Sequence, residues 1–114
     1  MTRVIIAGPD RGLESALTSL EVAVSRVDGI VTGESLEAAG IEDASLLLLT
    51  DAGDATAVPI AKDLNPDVRV VFYTEDSLPE FVSAQLDLLI DPNLLEPTTV
   101  VEELIGGIDA DAEK

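Results

Sequence analysis

Short apolar runs recur along the chain at intervals of roughly 20 residues, and a segment with helical periodicity follows each run. The run at 46–49 consists of leucine alone, which is typical of a strand that is buried on both faces of a sheet. The other strand-sized runs lie at 3–7, 22–27, 68–73 and 88–90. Strands that alternate with helices predict a parallel sheet with helices packed on both of its faces.

Helical stripes occupy the segments between these strands and follow the last one. Helices are predicted at 13–20, at 34–39, from Asp54 or Thr56 to 64, from a capping box at Ser77 to about 86, and at 97–105. The pair Gly106-Gly107 predicts the end of the last helix. We therefore expect one domain over 1–107 and a flexible acidic tail over 108–114.

Right-handed crossovers leave two common orders for five parallel strands. We favour the Rossmann-like order 3-2-1-4-5 of dinucleotide-binding domains, and the flavodoxin-like order is the alternative. The predicted fold class is a single doubly wound α/β domain with helices on both faces. In either order, ligands bind where the strands end, so we expect the functional residues in the loops that follow the strands.

The chain of 114 residues contains neither cysteine nor histidine. It therefore lacks the side chains for a disulfide, a thiolate zinc site or a cysteine nucleophile, and it lacks the commonest general base near neutral pH. Because no nucleophile and base lie at a useful spacing, we expect no enzymatic activity. Six basic residues against 23 acidic ones argue against nucleic-acid binding.

The net charge of −17 at pH 7 is spread along the chain rather than clustered. Self-repulsion disfavours a compact state at low salt, and molar salt shortens its range to about 3 Å. The charge therefore indicates a halophilic protein, and an acidic partner for a basic protein is the alternative. The first apolar run is too short for a signal peptide or a membrane span, so we expect a cytoplasmic protein without direct membrane insertion.

The loop after the first strand contains residues that a phosphate-binding turn would use. Gly8 and Gly12 would let backbone N–H groups approach an anion, and Arg11 adds a positive charge. Pro9 removes one N–H donor, and Asp10 introduces a carboxylate where a phosphate would lie. The simpler interpretation is a strand-to-helix turn with Asp10 as its N-cap, because the full glycine pattern of dinucleotide-binding loops is absent.

Polar residues also follow the second and third strands. Asp28 lies 20 residues after Gly8, about where dinucleotide-binding folds place an acid that contacts the ribose. An acid can also fall there by chance, because acids make up a fifth of the chain. Thr50 and Asp51 follow the third strand, where they can contact a ligand or cap the next helix. We include all of these residues in the predicted binding site.

Three segments combine an A-G-I-x-D-A lead-in to a strand, an L-N-P-D-V-R-V run and a final short strand; they lie at 39–50, 61–71 and 86–92. Together they resemble the TrkA-N (RCK N-terminal) family of Rossmann domains, as a stand-alone member of haloarchaeal type. The resemblance implies a nucleotide-binding domain that gates potassium channels or transporters. It also implies roles for Gly8 in the loop, Asp28 at the ribose and Thr50 after the third strand.

The cofactor that this resemblance implies is NAD or an adenine nucleotide. A carboxylate such as Asp10 at about 4 Å from a phosphate would cost about 4 kcal/mol at an effective dielectric of 20, which is comparable to the free energy of a millimolar affinity. We therefore predict a regulatory module with weak or lost nucleotide binding. A homodimer and a transporter, channel or other protein are the partners that the resemblance implies.

A degenerate receiver-like signalling domain is the alternative. It would use Asp10 and Asp51 as acids, Thr74 after the fourth strand, and a lysine after the fifth strand, where this chain has Asp91. Without that lysine, phosphotransfer is disfavoured, and the first two acids remain only as candidate Mg²⁺ ligands. A further alternative is a small nucleotide-related protein of the acidic haloarchaeal kind named CTP synthetase, although the P-loop and the glutaminase cysteine of that activity are absent.

Overall fold

A computed structural model of the chain describes residues 2–9, 12–20, 22–27, 29, 31–75, 78, 80–83 and 87–112. Within these residues, five strands form one parallel sheet in the order β2-β1-β3-β4-β5. The strands are β1 (Arg3–Ala7), β2 (Ala23–Val27), β3 (Leu46–Leu49), β4 (Arg69–Tyr73) and β5 (Leu88–Ile90). The predicted fold class, a doubly wound parallel α/β sheet, is confirmed.

Helices cover both faces of the sheet. One face packs against α1 (Leu13–Thr18) and α5 (Pro97–Ala112), and the other packs against α2 (Gly33–Ala39), α3 (Ala57–Leu64) and α4 (Glu80–Ser83). Short 3-10 turns at Ile41–Asp43 and Ala52–Asp54 flank β3. None of the helices in the described part of the chain combines the length and the hydropathy that crossing a membrane requires.

The four leucines of β3 supply both halves of the core because side chains alternate across a strand. Leu46 and Leu48 pack in the cluster under α1 and α5, whereas Leu47 and Leu49 pack in the cluster under α2 and α3. All four are 0 % exposed, as expected of a central strand covered on both faces.

The favoured strand order, 3-2-1-4-5, is wrong in one respect: β3 lies beside β1 and not beside β2. Val4 of β1 is paired with Leu46 of β3 on one side and with Val24 of β2 on the other. Strand lengths and apolar periodicity are the same in both orders, so they could not distinguish them. The useful signal was the polar content of β2, because its Ser25 and Arg26 are only half-buried, as in an edge strand.

Several helix boundaries also differ from the predicted ones. Helix α5 continues to Ala112, past Gly106-Gly107, because glycine lowers helix propensity by about 1 kcal/mol per residue without preventing a helical backbone. The division into a domain and a tail stays a prediction. Helix α2 begins one residue early, behind a capping box formed by Thr32 and Ser35. The predicted capping residue Ser77 lies outside the described residues.

Candidate functional site

The carboxyl ends of β1 and β3 meet because these strands are neighbours, with Ala7 paired to Leu49. Gly8 therefore lies against Thr50 and Asp51. Its φ of 97° is in the left-handed region, and a Cβ built on it would lie 2.5 Å from Thr50 Oγ1 and 3.3 Å from the Asp51 backbone nitrogen. Only glycine fits here without displacing its neighbours.

Thr50 ties the loop after β1 to the end of β3. Its side chain is fully buried, and its hydroxyl lies 2.5 Å from the Pro9 carbonyl oxygen and 3.3 Å from that of Ala7. Its backbone N–H also donates to the Ala7 oxygen, at 3.1 Å. These bonds account for the polar group of Thr50 within the protein, and they make the junction between the two strand ends rigid.

Asp51 is exposed, and its carboxylate turns back on its own loop. Oδ1 accepts a hydrogen bond of 2.8 Å from the Gly53 N–H, which caps the 3-10 turn at Ala52–Asp54. Burial of Asp54, and secondly the charge of Asp51, raise the pKa of the Asp54 carboxyl above its ordinary value. Among the described residues, no group of three or more metal-ligating side chains is arranged to hold an ion.

Arg26 of β2 also reaches this end of the sheet, and the sequence did not single it out. Its guanidinium donates through Nη2 to the Gly8 carbonyl oxygen at 3.0 Å, and Nη1 lies 3.7 Å from Glu14 Oε2. It thereby fixes the same loop that Thr50 holds from the other side. The available signal was a lone arginine near the end of an alternating strand, but that pattern equally fits a solvent-facing residue.

The other predicted binding residues divide into two groups. Asp10, Arg11 and Asp28 lie outside the described residues, so their predicted roles stay predictions. Gly12 has a φ of 86° and forms the N-cap of α1, where the simpler interpretation placed Asp10. A Cβ on Gly12 would lie 3.3 Å from Pro97 Cγ, so the close approach at this glycine is to the start of α5.

The ends of β4 and β5 are joined by polar contacts of their own. Thr74 is buried and donates its N–H to the Ile90 carbonyl oxygen at 3.1 Å. Asp91 Oδ1 accepts from the Asn93 N–H at 2.8 Å, and the Asn93 amide donates to Glu75 at 2.6 Å. The position after β5 thus presents a carboxylate that closes a turn.

This strand order defines a flavodoxin-like α/β domain, in which polar residues meet at adjoining strand ends. The chain belongs to a family of unknown function, DUF7126, whose model matches residues 4–104. No protein of curated function matches the sequence.

Two solved structures are similar in fold. One is a pilus assembly-related protein from Burkholderia pseudomallei, with a TM-score of 0.65, 17 % identity, and coverage of 91 % of this chain and 87 % of the other. The second is a pilus assembly protein (cpaE) from Burkholderia thailandensis, with a TM-score of 0.60, 12 % identity, and coverage of 93 % and 99 %. At these identities, the similarity establishes the fold alone.

The resemblance to the TrkA-N family is therefore wrong, because the matching family and the similar folds are different ones. Residues that suggested it serve local packing. Gly40 ends α2 with a φ of 92°, and the Asn65 amide donates to the carbonyl oxygens of Ile41 and Ala44 at 2.9 and 3.0 Å. These contacts brace the amino ends of β3 and β4, at the opposite end of the sheet from the predicted ligand site.

Proposed function

We propose that the chain is a receiver-like domain that acts by binding a protein partner and does not carry out phosphotransfer. The observation that supports this most strongly is Asp91 at the end of β5. A receiver needs a lysine there to pair with the phosphoryl group, and here a carboxylate bonded to the Asn93 N–H takes that position. A negative group in place of a cation disfavours phosphorylation instead of stabilising it.

The end of β3 supports the same proposal. The Asp51 carboxylate, the candidate phosphoryl acceptor, already accepts the Gly53 N–H. A phosphoryl group on Asp51 would replace its single negative charge by one of about −1.5 to −2, near an Asp54 that is already destabilised in its ionised form by burial and by Asp51.

Weak or absent binding of NAD or an adenine nucleotide is part of the same proposal. A phosphate cradle needs open space beside a loop glycine. At Gly8 that space is taken by the Thr50 hydroxyl, and at Gly12 it is taken by Pro97. A thermal-melt screen with NAD, NADH, ATP, ADP and CTP should therefore show at most one weak stabiliser, and saturable stabilisation at micromolar ligand would contradict this part.

Phosphotransfer is tested by incubation with acetyl phosphate and Mg²⁺, followed by intact-mass spectrometry. We expect no phosphoryl adduct on the wild-type chain, while an active receiver domain treated in parallel is labelled. Asp51→Asn is the matched control, because it removes the only acceptor that the proposal considers. An adduct that forms on the wild-type chain and is lost in Asp51→Asn would overturn the proposal.

A further inference from the structure

An open groove lies between β5 and the amino-terminal half of α5. Its volume is about 290 Å³, and apolar side chains make up most of its lining, among them Leu88, Leu94, Leu95 and Leu104. Asp91 and Glu103 add carboxylates to the same lining. We call this feature the β5–α5 groove.

Four leucines in this groove are unusually exposed for their size. Leu88 and Leu89 are 45 % and 48 % exposed, and Leu94 and Leu95 are 78 % and 41 % exposed. They are the large hydrophobic side chains that stand out as exposed among the described residues. A continuous exposed apolar patch with a polar rim is the usual mark of a protein-binding surface.

The groove is held in shape by the core beneath it. Ile90 and Val100 line it and also belong to the buried cluster under α1 and α5. The turn that carries Leu94 is closed by a 3.0 Å bond from the Leu94 N–H to the Asp91 carbonyl oxygen. The Tyr73 hydroxyl donates to the Leu95 carbonyl oxygen at 2.7 Å. A preformed surface loses little conformational entropy when it binds a partner.

The charge around the groove selects the chemistry of the partner. Asp91 and Glu103 line the groove, and two exposed acids adjoin lining residues in the chain: Glu96 follows Leu95, and Glu102 precedes Glu103. A symmetric contact with a second copy would bring these same acids together, on a chain whose net charge is −17. Basic residues beside an apolar surface are complementary to this rim.

We propose that the β5–α5 groove binds the apolar face of an amphipathic helix from a partner protein, with lysine or arginine along the edges of that face. A helix presents such a face through residues three and four apart, which is the way amphipathic helices bind in apolar grooves. The inference rests on the proposed function, because it names the surface by which the chain would bind a protein partner and the chemistry of that partner. It does not depend on the state of the phosphoryl site.

The test is a selection from a display library of helical peptides with randomised surface positions, using the whole chain as bait. We expect the enriched peptides to share an apolar stripe flanked by lysine or arginine. Affinities are then measured by fluorescence anisotropy. Leu94→Ser should weaken binding by about tenfold, as expected for an interface anchor, and Ala38→Ser, on an exposed position of α2, should leave it unchanged.

Charge complementarity is tested by a second matched pair, Glu103→Gln in the groove and Glu34→Gln on α2. Both remove one negative charge from an exposed helical glutamate. We expect weaker binding for Glu103→Gln alone, with circular dichroism confirming that both variants fold. The inference is overturned if no peptide is enriched, if the enriched peptides lack basic edges, or if Leu94→Ser binds like the wild type.

Sedimentation tests the other possible occupant of the groove, which is a second copy of the chain. A dimer that dissociates in Leu94→Ser would also overturn the inference. The proposed function is contradicted by a different result, a phosphoryl adduct on Asp51. If the chain both bound the peptide and formed that adduct, the assignment of the groove would stand, and only the claim that phosphotransfer is absent would be rejected.

Discussion

Two leucine-rich strands of the same sheet have opposite environments. In β3, between β1 and β4, all four leucines are 0 % exposed. In β5, at the edge of the sheet, Leu88 and Leu89 are 45 % and 48 % exposed. The residue type is the same, so position in the sheet decides whether leucine builds the core or forms a surface. Leucines that folding does not bury are the ones available for binding.

The largest expected effect compares truncations in the two strands. Leu48→Ala should lower the free energy of unfolding by about 2–5 kcal/mol, because it leaves a cavity in a closed core. Leu88→Ala should lower it by about 1 kcal/mol or less, because its side chain is already half in water. Chemical denaturation of both variants gives the two values, and equal losses would remove the distinction between the strands.

A second comparison concerns the closed junction at the end of β3. Gly8→Ala should cost about 2–3 kcal/mol, because it combines a left-handed φ with a clash against Thr50 Oγ1. Gly29→Ala is the matched control, since Gly29 has a φ of 77° and no atom within 4 Å of the added Cβ. It should cost only the backbone strain, about 1 kcal/mol. If the two variants unfold at the same denaturant concentration, the junction is not tightly packed.

A smaller effect is expected for the contact that attaches the edge strand β5 to the rest of the sheet. Asp87 precedes β5, and its Oδ2 accepts from the Val70 N–H at 2.7 Å and from Lys62 Nζ at 2.9 Å. Asp87→Asn should lower the free energy of unfolding by about 1 kcal/mol, because an uncharged amide oxygen accepts these bonds more weakly than a carboxylate does. Removal of any acid also relieves the net negative charge, so the exposed Asp43→Asn is the control. If Asp87→Asn is as stable as Asp43→Asn, the contact made by Asp87 contributes nothing to the free energy of unfolding.

The smallest effect is a pH dependence in the turn after β3. Because the pKa of Asp54 is raised on folding, the folded state binds its proton more tightly than the unfolded state does. This group therefore favours folding as the pH falls through its raised pKa and disfavours it above that range. Asp54→Asn should raise the stability at pH 7 by a few tenths of a kcal/mol. Melting temperatures measured against pH should show this gain shrinking toward acid pH, and a constant difference would contradict the assignment.

The sequence predicted the layers of the fold because strand and helix periodicities are local. The pairing of β3 with β1 was not predicted, since the neighbour of a strand depends on long-range packing that both candidate orders satisfy. Gly8, Thr50 and Asp51 were predicted as binding residues because they follow strands, and that binding role stays a prediction. Their contacts required the strand order.

Two features of the surface were missed for a related reason. Arg26 resembles a solvent-facing residue until β2 is placed beside β1, where its guanidinium reaches Gly8. The leucines at 88, 89, 94 and 95 resemble core residues until β5 is placed at the edge. Composition indicates how much apolar surface a chain has, but the topology determines which part stays exposed.

The most direct test of the central claim follows backbone amide signals of the whole chain by NMR during two titrations. With a peptide selected for the β5–α5 groove, the signals of Leu88, Leu89 and Leu94 should shift. With Mg²⁺ and acetyl phosphate, the signals of Gly8 and Asp51 should stay in place. Shifts at Gly8 and Asp51 on addition of acetyl phosphate, with no response of the leucines to the peptide, would contradict the account.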